Sequence, residues 1–144
     1  MAMDAILPRL LSPARAALLA QFLRFGTVGT LGFGVDTAVV YGLRGSLGLY
    51  GARAVSFAVA VTFTWALNRA WTFRGRGTQP VARQWALFVA ANSLGGALNI
   101  GAYVLLVATS PFCAENPVVA VAAGAIAGMF VNFALSRFVV FRES

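Results

Sequence analysis

The chain has 144 residues, 60% of them hydrophobic and only 10% charged, with a mean hydropathy of +0.81. Soluble domains carry about a quarter charged and just under half apolar residues, so an ordinary soluble globule is excluded, and so is a disordered chain. The net charge of +7 comes from eleven Arg with no Lys, set against Asp4, Asp36, Glu115 and Glu143.

The arginines stand at the ends of long apolar runs rather than on a polar face, which points to membrane orientation and away from nucleic acid. With no His and a single Cys113, a Cys/His metal centre, histidine-based catalysis and an internal disulfide are all ruled out. The length supports at most one domain.

Residues 1–22 are broken by Pro8, Arg9, Pro13 and Arg15, unlike the uninterrupted apolar core of a secretory signal. Ser12 followed by Pro13 reads as a helix N-cap with proline at the first helical position. Leu7, Leu11, Ala14, Leu18 and Phe22 recur at helical spacing with Arg9 and Arg15 off that stripe. The segment is expected to be a cytoplasmic, interfacial amphipathic lead-in; a longer first helix with a frayed start is the other reading.

A crossing helix needs about 20 mostly apolar residues, and four stretches qualify: 25–43, 52–73, 85–107 and 117–141. Breaks fall at 45–51, 74–80 and 110–117. The expected architecture is an all-α membrane protein, with residues 23–144 forming a four-helix transmembrane domain and no room for a soluble catalytic domain. Nine arginines (9, 15, 24, 69, 74, 76, 83, 137 and 142) flank one side of these spans, against Arg44 and Arg53 on the other. This bias places both termini in the cytoplasm and argues against a dual-topology dimer. Trp71, Trp85 and Phe73 suit the interface, while Trp65 lies deeper.

The second and fourth spans end alike. Residues 66–74 match residues 134–142 at five of nine positions, offset by 68. The first and third spans align at offset 63 through Gln21/Gln84, Phe25/Phe88, Leu31/Leu94 and Gly32/Gly95. The chain therefore reads as two helical hairpins, residues 21–76 and 84–142. Because each has two spans, they form a parallel repeat.

The alignment also stacks polar and small residues. Gly29, Gly32 and Asp36 match Asn92, Gly95 and Asn99; Ser56, Ala60, Thr64 and Asn68 match Gly124, Gly128, Asn132 and Ser136. Such stripes let helices approach and bond across one another, either as packing alone or as a polar groove. A purely packing role is less sufficient for Asn99 and Asn132. Asp36 stands mid-span, where an ionised carboxylate costs about 2.5–3.5 kcal/mol. Its candidate partners are Asn99, Arg44 and Arg53. The readings are a structural ion pair or hydrogen bond, proton coupling, or binding of a substrate hydroxyl.

Arg69 and Arg137 each precede four apolar or weakly polar residues and then another Arg, and Arg24 sits at similar depth. They either anchor the helices by snorkelling or bind phosphate, which a planar guanidinium grips with two parallel bonds.

The run Arg24-Phe25-Gly26-Thr27-Val28-Gly29, the segment Asn68-Arg69-Ala70-Trp71-Thr72-Phe73 and the run from Asn132 to Phe141 resemble the GtrA-like family, over about residues 20–142 in all. The resemblance implies translocation of a polyprenyl-phosphate-linked sugar from the cytoplasmic to the outer leaflet of the inner membrane, for cell-surface polysaccharide synthesis. Related domains occur fused to polyprenol-phosphate glycosyltransferases. On that expectation Arg24, Arg69 and Arg137 collect the phosphate. Asp36, Thr64, Asn68, Asn92, Asn99, Asn132 and Ser136 then line a groove for the sugar.

The expected partners are the lipid-linked sugar, membrane lipid, a glycosyltransferase and a second copy in a homodimer, with no cofactor, metal or nucleic acid. No nucleotide-binding loop is present, so a substrate gradient or ions would drive movement. The alternative is a non-transporting adaptor that recruits a glycosyltransferase. A small-cation exporter fits less well, because glycines surround Asp36 where an aromatic cage is wanted. An enzyme ranks last, since the sequence holds no nucleophile–base pair.

Overall fold

Ser12 and Pro13 begin the first helix as their chemistry requires. In the computed structural model, which describes residues 11–143, the extended Ser12 accepts a bond from the Arg15 amide at 3.4 Å, and Pro13 opens helix α1, Pro13–Leu67. Leu7, Pro8 and Arg9 of the expected lead-in lie outside the described residues. From Pro13 the helix runs without a break past residue 22.

Helix α1 is interrupted once, at Gly48 (φ 71°, ψ 176°), a backbone conformation that an L side chain resists. There the chain doubles back. Arg53 reaches Asp36, the Thr64 methyl lies over Gly32, and Phe25 and Phe73 meet edge to face at 6.2 Å. On one straight helix residues 36 and 53 would stand about 25 Å apart. The break expected over 45–51 thus contracts to one residue. A single glycine reverses the chain, and helical hydrogen bonding resumes directly on both sides, which keeps backbone groups satisfied in an apolar setting.

The second limb ends in a π-helix, Asn68–Thr72, closed by the Phe73 amide donating to the Asn68 carbonyl at 2.8 Å. A short connection through Gly75 and Gly77, both at positive φ, leads to α2, Val81–Thr109. The expected loop at 110–117 contains a one-turn helix, α3, Pro111–Glu115, before α4, Pro117–Leu135. Both of its prolines sit at first helical positions, where their missing N–H costs nothing, and Ser110 caps α3 by accepting from the Cys113 amide at 3.3 Å. A second π-helix, Ser136–Val140, follows α4, and the Phe141 amide closes it on the Ser136 carbonyl at 2.7 Å.

The chain divides into two compact units after Arg76. In the first, Phe25, Val28 and Gly32 are buried on one limb and Ala52, Ser56, Val61 and Asn68 on the other. In the second, Gln84, Phe88, Ala91 and Gly95 of α2 are buried, as are Ala120, Gly124, Gly128 and Phe133 of α4. Local geometry recurs between the units. The edge-to-face pair Phe25–Phe73 has its counterpart in Phe88–Phe141, also at 6.2 Å. Gly32 under Thr64 has its counterpart in Gly95 under Asn132.

Among the described residues there is no strand. Three helices are long and apolar enough to cross a membrane: Pro13–Thr72, which folds back at Gly48, Val81–Thr109 and Pro117–Val140. Large apolar side chains such as Phe33, Ile100, Val118 and Phe130 are exposed, as acyl chains around the helices would have them.

Candidate functional site

The three arginines each lie against an aromatic ring. Arg24 on the first limb of α1 stands 5.9 Å from the Trp71 ring, and Arg69 stands 6.0 Å from that of Trp65. Both therefore occupy the same end of the first unit. Arg137 takes the matching place in the second, 5.7 Å from Phe138. Arg69 and Arg137 are each the second residue of a π-helix, at the C-terminal end of a long helix where the negative end of the dipole favours a cation. A ring within about 6 Å attracts the guanidinium and restrains it, and its planar fork is the group that matches a phosphate.

On the second limb of the first unit the polar stripe is closed on itself. The Thr64 hydroxyl donates to the Val61 carbonyl at 3.1 Å, and Ser56 donates to the Arg53 carbonyl at 3.0 Å. Asn68, almost fully buried, accepts from Thr72 at 2.7 Å. That bond spans the π-helix and fastens it, so Asn68 is a structural clasp as well as a member of the stripe.

Of Asp36's candidate partners, the structure selects Arg53, whose guanidinium donates to Oδ2. Arg44 instead lies 4.4 Å from the Tyr41 ring. The Arg53 side chain is 62% exposed and that of Asp36 only 18%. Arg53→Ala therefore strands a mostly covered carboxylate, whereas Asp36→Asn leaves an arginine able to reach outward. We expect Arg53→Ala to cost about 2 kcal/mol and Asp36→Asn much less, as read by thermal unfolding in detergent. Equal losses would remove the pair from that role.

The second unit is less complete. Asn92 returns its amide to the Phe88 carbonyl of its own helix at 2.9 Å. Asn99 crosses to α4: a Cβ placed on Gly124 would lie 2.6 Å from both the backbone oxygen and Oδ1 of Asn99. Asn132 returns the contact by laying its amide on Gly95. Yet Asn132 Oδ1 and Ser136 Oγ are both buried without a hydrogen-bond partner, and Ser136 is fully covered. Each such atom costs about 1–3 kcal/mol. The cause at Ser136 is legible: Val140 stands where the first unit has Thr72, so no hydroxyl crosses the π-helix.

The family model described as "GtrA/DPMS, transmembrane domain" matches residues 24–141. The chain belongs to this GtrA/DPMS family. The matched span begins at Arg24 and takes in both π-helices and both stripes, and it makes the chain a multi-pass membrane protein. No curated protein matches the sequence significantly. Among the described residues, no cluster of His, Cys, Asp or Glu could hold a metal ion.

Several contributors were not singled out from the sequence. Thr72, four residues after Asn68, could have been paired with it by helical spacing. Trp65 and Trp71, read as interfacial or deep aromatics, also carry Arg69 and Arg24. A further feature is an open apolar groove of about 710 Å³ along limb 49–67, lined by Ala54, Ala58, Thr62 and Ala66 with Val59 and Phe63. It lies on the face opposite the inner stripe.

Proposed function

We propose that this chain moves a polyprenyl-phosphate-linked sugar across the cytoplasmic membrane, from the inner to the outer leaflet, for cell-surface glycan synthesis. The supporting observation is the recurrence of an aromatic-backed arginine at the π-helical end of each unit, Arg69 beside Trp65 and Arg137 beside Phe138. Membership of the GtrA/DPMS family points to lipid-linked sugars as the cargo.

In this reading the chain crosses four times as two parallel hairpins, the limbs of α1 and then α2 and α4, with both termini cytoplasmic. Residues up to 22 lie along the interface. Arg24, Arg69 and Arg137 take the phosphate as it arrives, while the isoprenoid tail stays in lipid. The amides and hydroxyls of the stripes then replace water around the sugar. The substrate gradient drives the movement, and Asp36 serves structure through Arg53 rather than carrying a proton. The chain acts as a carrier, not an enzyme.

One observation favours the second reading, an adaptor for a polyprenol-phosphate glycosyltransferase. The groove floored by Ala54, Ala58, Thr62 and Ala66 has the small-residue spacing that lets a foreign helix approach closely.

The test is leaflet accessibility of a polyprenyl-phosphate hexose in liposomes containing only the purified protein. Protein-dependent transfer of the head group to the far leaflet is the expected result. No transfer by correctly inserted, folded protein would overturn the carrier reading in favour of the adaptor.

A further inference from the structure

The two units carry related stripes, but they leave them in different states. In the first, the described polar side chains at the seam are engaged: Thr64 with Val61, Asn68 with Thr72, and Asp36 with Arg53 through one oxygen. The other Asp36 oxygen is buried without a hydrogen bond, though on a carboxylate whose charge Arg53 already offsets. In the second unit, Asn132 Oδ1 and Ser136 Oγ, four residues apart on one helix face, are buried and unpartnered. Asn132 points at Gly95, whose missing side chain makes the room it occupies.

We infer that sugar recognition is confined to the second unit, where Asn132 and Ser136 take carbohydrate hydroxyls beside a phosphate held by Arg137. This rests on the lipid-linked sugar reading above and narrows it to one half of the chain.

The chemistry selects the ligand class. An amide oxygen accepts, and a serine hydroxyl both accepts and donates, so together they want a group that brings its own O–H. A phosphodiester has no proton to donate. A hard cation such as calcium is held by about six to eight oxygens, and two neutral oxygens on one helix face do not make such a set. A sugar hydroxyl donates and accepts at once. The rise between the two residues is about 6 Å, which lets neighbouring hydroxyls of one ring reach both. Ser136 directly precedes Arg137 in the π-helix, so the hydroxyl site adjoins the phosphate site as the two groups adjoin in a glycosyl phosphate. The first unit offers no matching pair, because the Thr64 hydroxyl is already turned to the Val61 carbonyl and the Asn68 oxygen already accepts from Thr72.

Two variants test the inference. Ser136→Ala removes the unpartnered hydroxyl. The double change Ser136→Asn with Val140→Thr transplants the Asn68–Thr72 clasp and closes the site from within. Thr72→Val is the control, since it disturbs only the first unit. Binding is read by native mass spectrometry in detergent, with a bare polyprenyl monophosphate and the same lipid carrying one hexose, and thermal unfolding is followed without ligand.

The expected result is that the hexose-linked lipid binds about tenfold tighter than the bare lipid. Both variants in the second unit erase that preference while their melting temperature holds or rises. Thr72→Val keeps the preference and melts lower. If both lipids bind wild-type protein equally and Ser136→Ala changes nothing, the site holds only trapped water; the inference falls and phosphate recognition stands. If Ser136→Ala lowers the melting temperature together with binding, Ser136 is structural and the inference falls. If neither lipid binds, the carrier reading falls, and this inference with it.

Discussion

Arg69→Lys combined with Arg137→Lys is expected to slow movement of a lipid-linked sugar by ten- to a hundredfold while leaving the protein inserted in the same direction. Lysine keeps the positive charge, so the orientation bias and the favourable interaction with the helix end both survive. What it loses is geometry. Arg69 lies 6.0 Å from the Trp65 ring and Arg137 5.7 Å from that of Phe138. An ammonium can neither stack as a plane nor present two parallel donors to phosphate oxygens. A charge-assisted hydrogen bond contributes about 1.5–3 kcal/mol, which sets the size of the effect. The liposome assay measures the rate, and cysteine accessibility at the two ends of the chain reports insertion. Full activity in the double variant would reduce both arginines to anchors.

The same residues show what a linear chain can and cannot disclose. Hydropathy located the apolar runs because a span must be mostly apolar whatever it packs against. The offsets of 63 and 68 paired Phe25 with Phe88 and Phe73 with Phe141, and these four rings form the two edge-to-face contacts. The π-helices were not legible, since a shift from four- to five-residue hydrogen bonding leaves composition unchanged. Nor was the fate of the individual amides. Asn68, Asn92 and Asn132 all looked like groove residues. Asn68 meets the Thr72 hydroxyl four residues on and Asn92 turns to its own helix, whereas Asn132 has Ser136 at the same spacing and yet lies against Gly95 with its oxygen unpartnered. Gly48 was masked for a different reason: three glycines lie within 45–51, and only the backbone angle shows which one turns.

The second large effect should appear in a graded series of glycine-to-alanine changes. Inside a membrane, helices gain little from burying apolar surface against one another, because lipid is equally apolar. Close approach supplies the attraction instead, and the glycines permit it to different degrees. At Gly124 a new Cβ would lie 2.6 Å from the backbone oxygen of Asn99. Backbone cannot swing aside, so Gly124→Ala must push α2 and α4 apart. At Gly32 the obstacle is the Thr64 methyl, a side chain that can turn. At Gly29 nothing lies within 4 Å, and alanine there gains helix propensity.

We expect Gly124→Ala to cost about 3 kcal/mol or more and Gly32→Ala about 1 kcal/mol. Gly29→Ala should be neutral or slightly stabilising, and thermal unfolding in detergent would read all three. Similar melting temperatures across the series would mean that the seam is looser than its geometry implies. Gly95 separates stability from function. An added methyl there meets the Asn132 amide rather than backbone, so Gly95→Ala should displace the amide before it parts the helices. Discrimination between sugar-linked and bare lipid should then be lost at a smaller cost in stability than Gly124→Ala exacts.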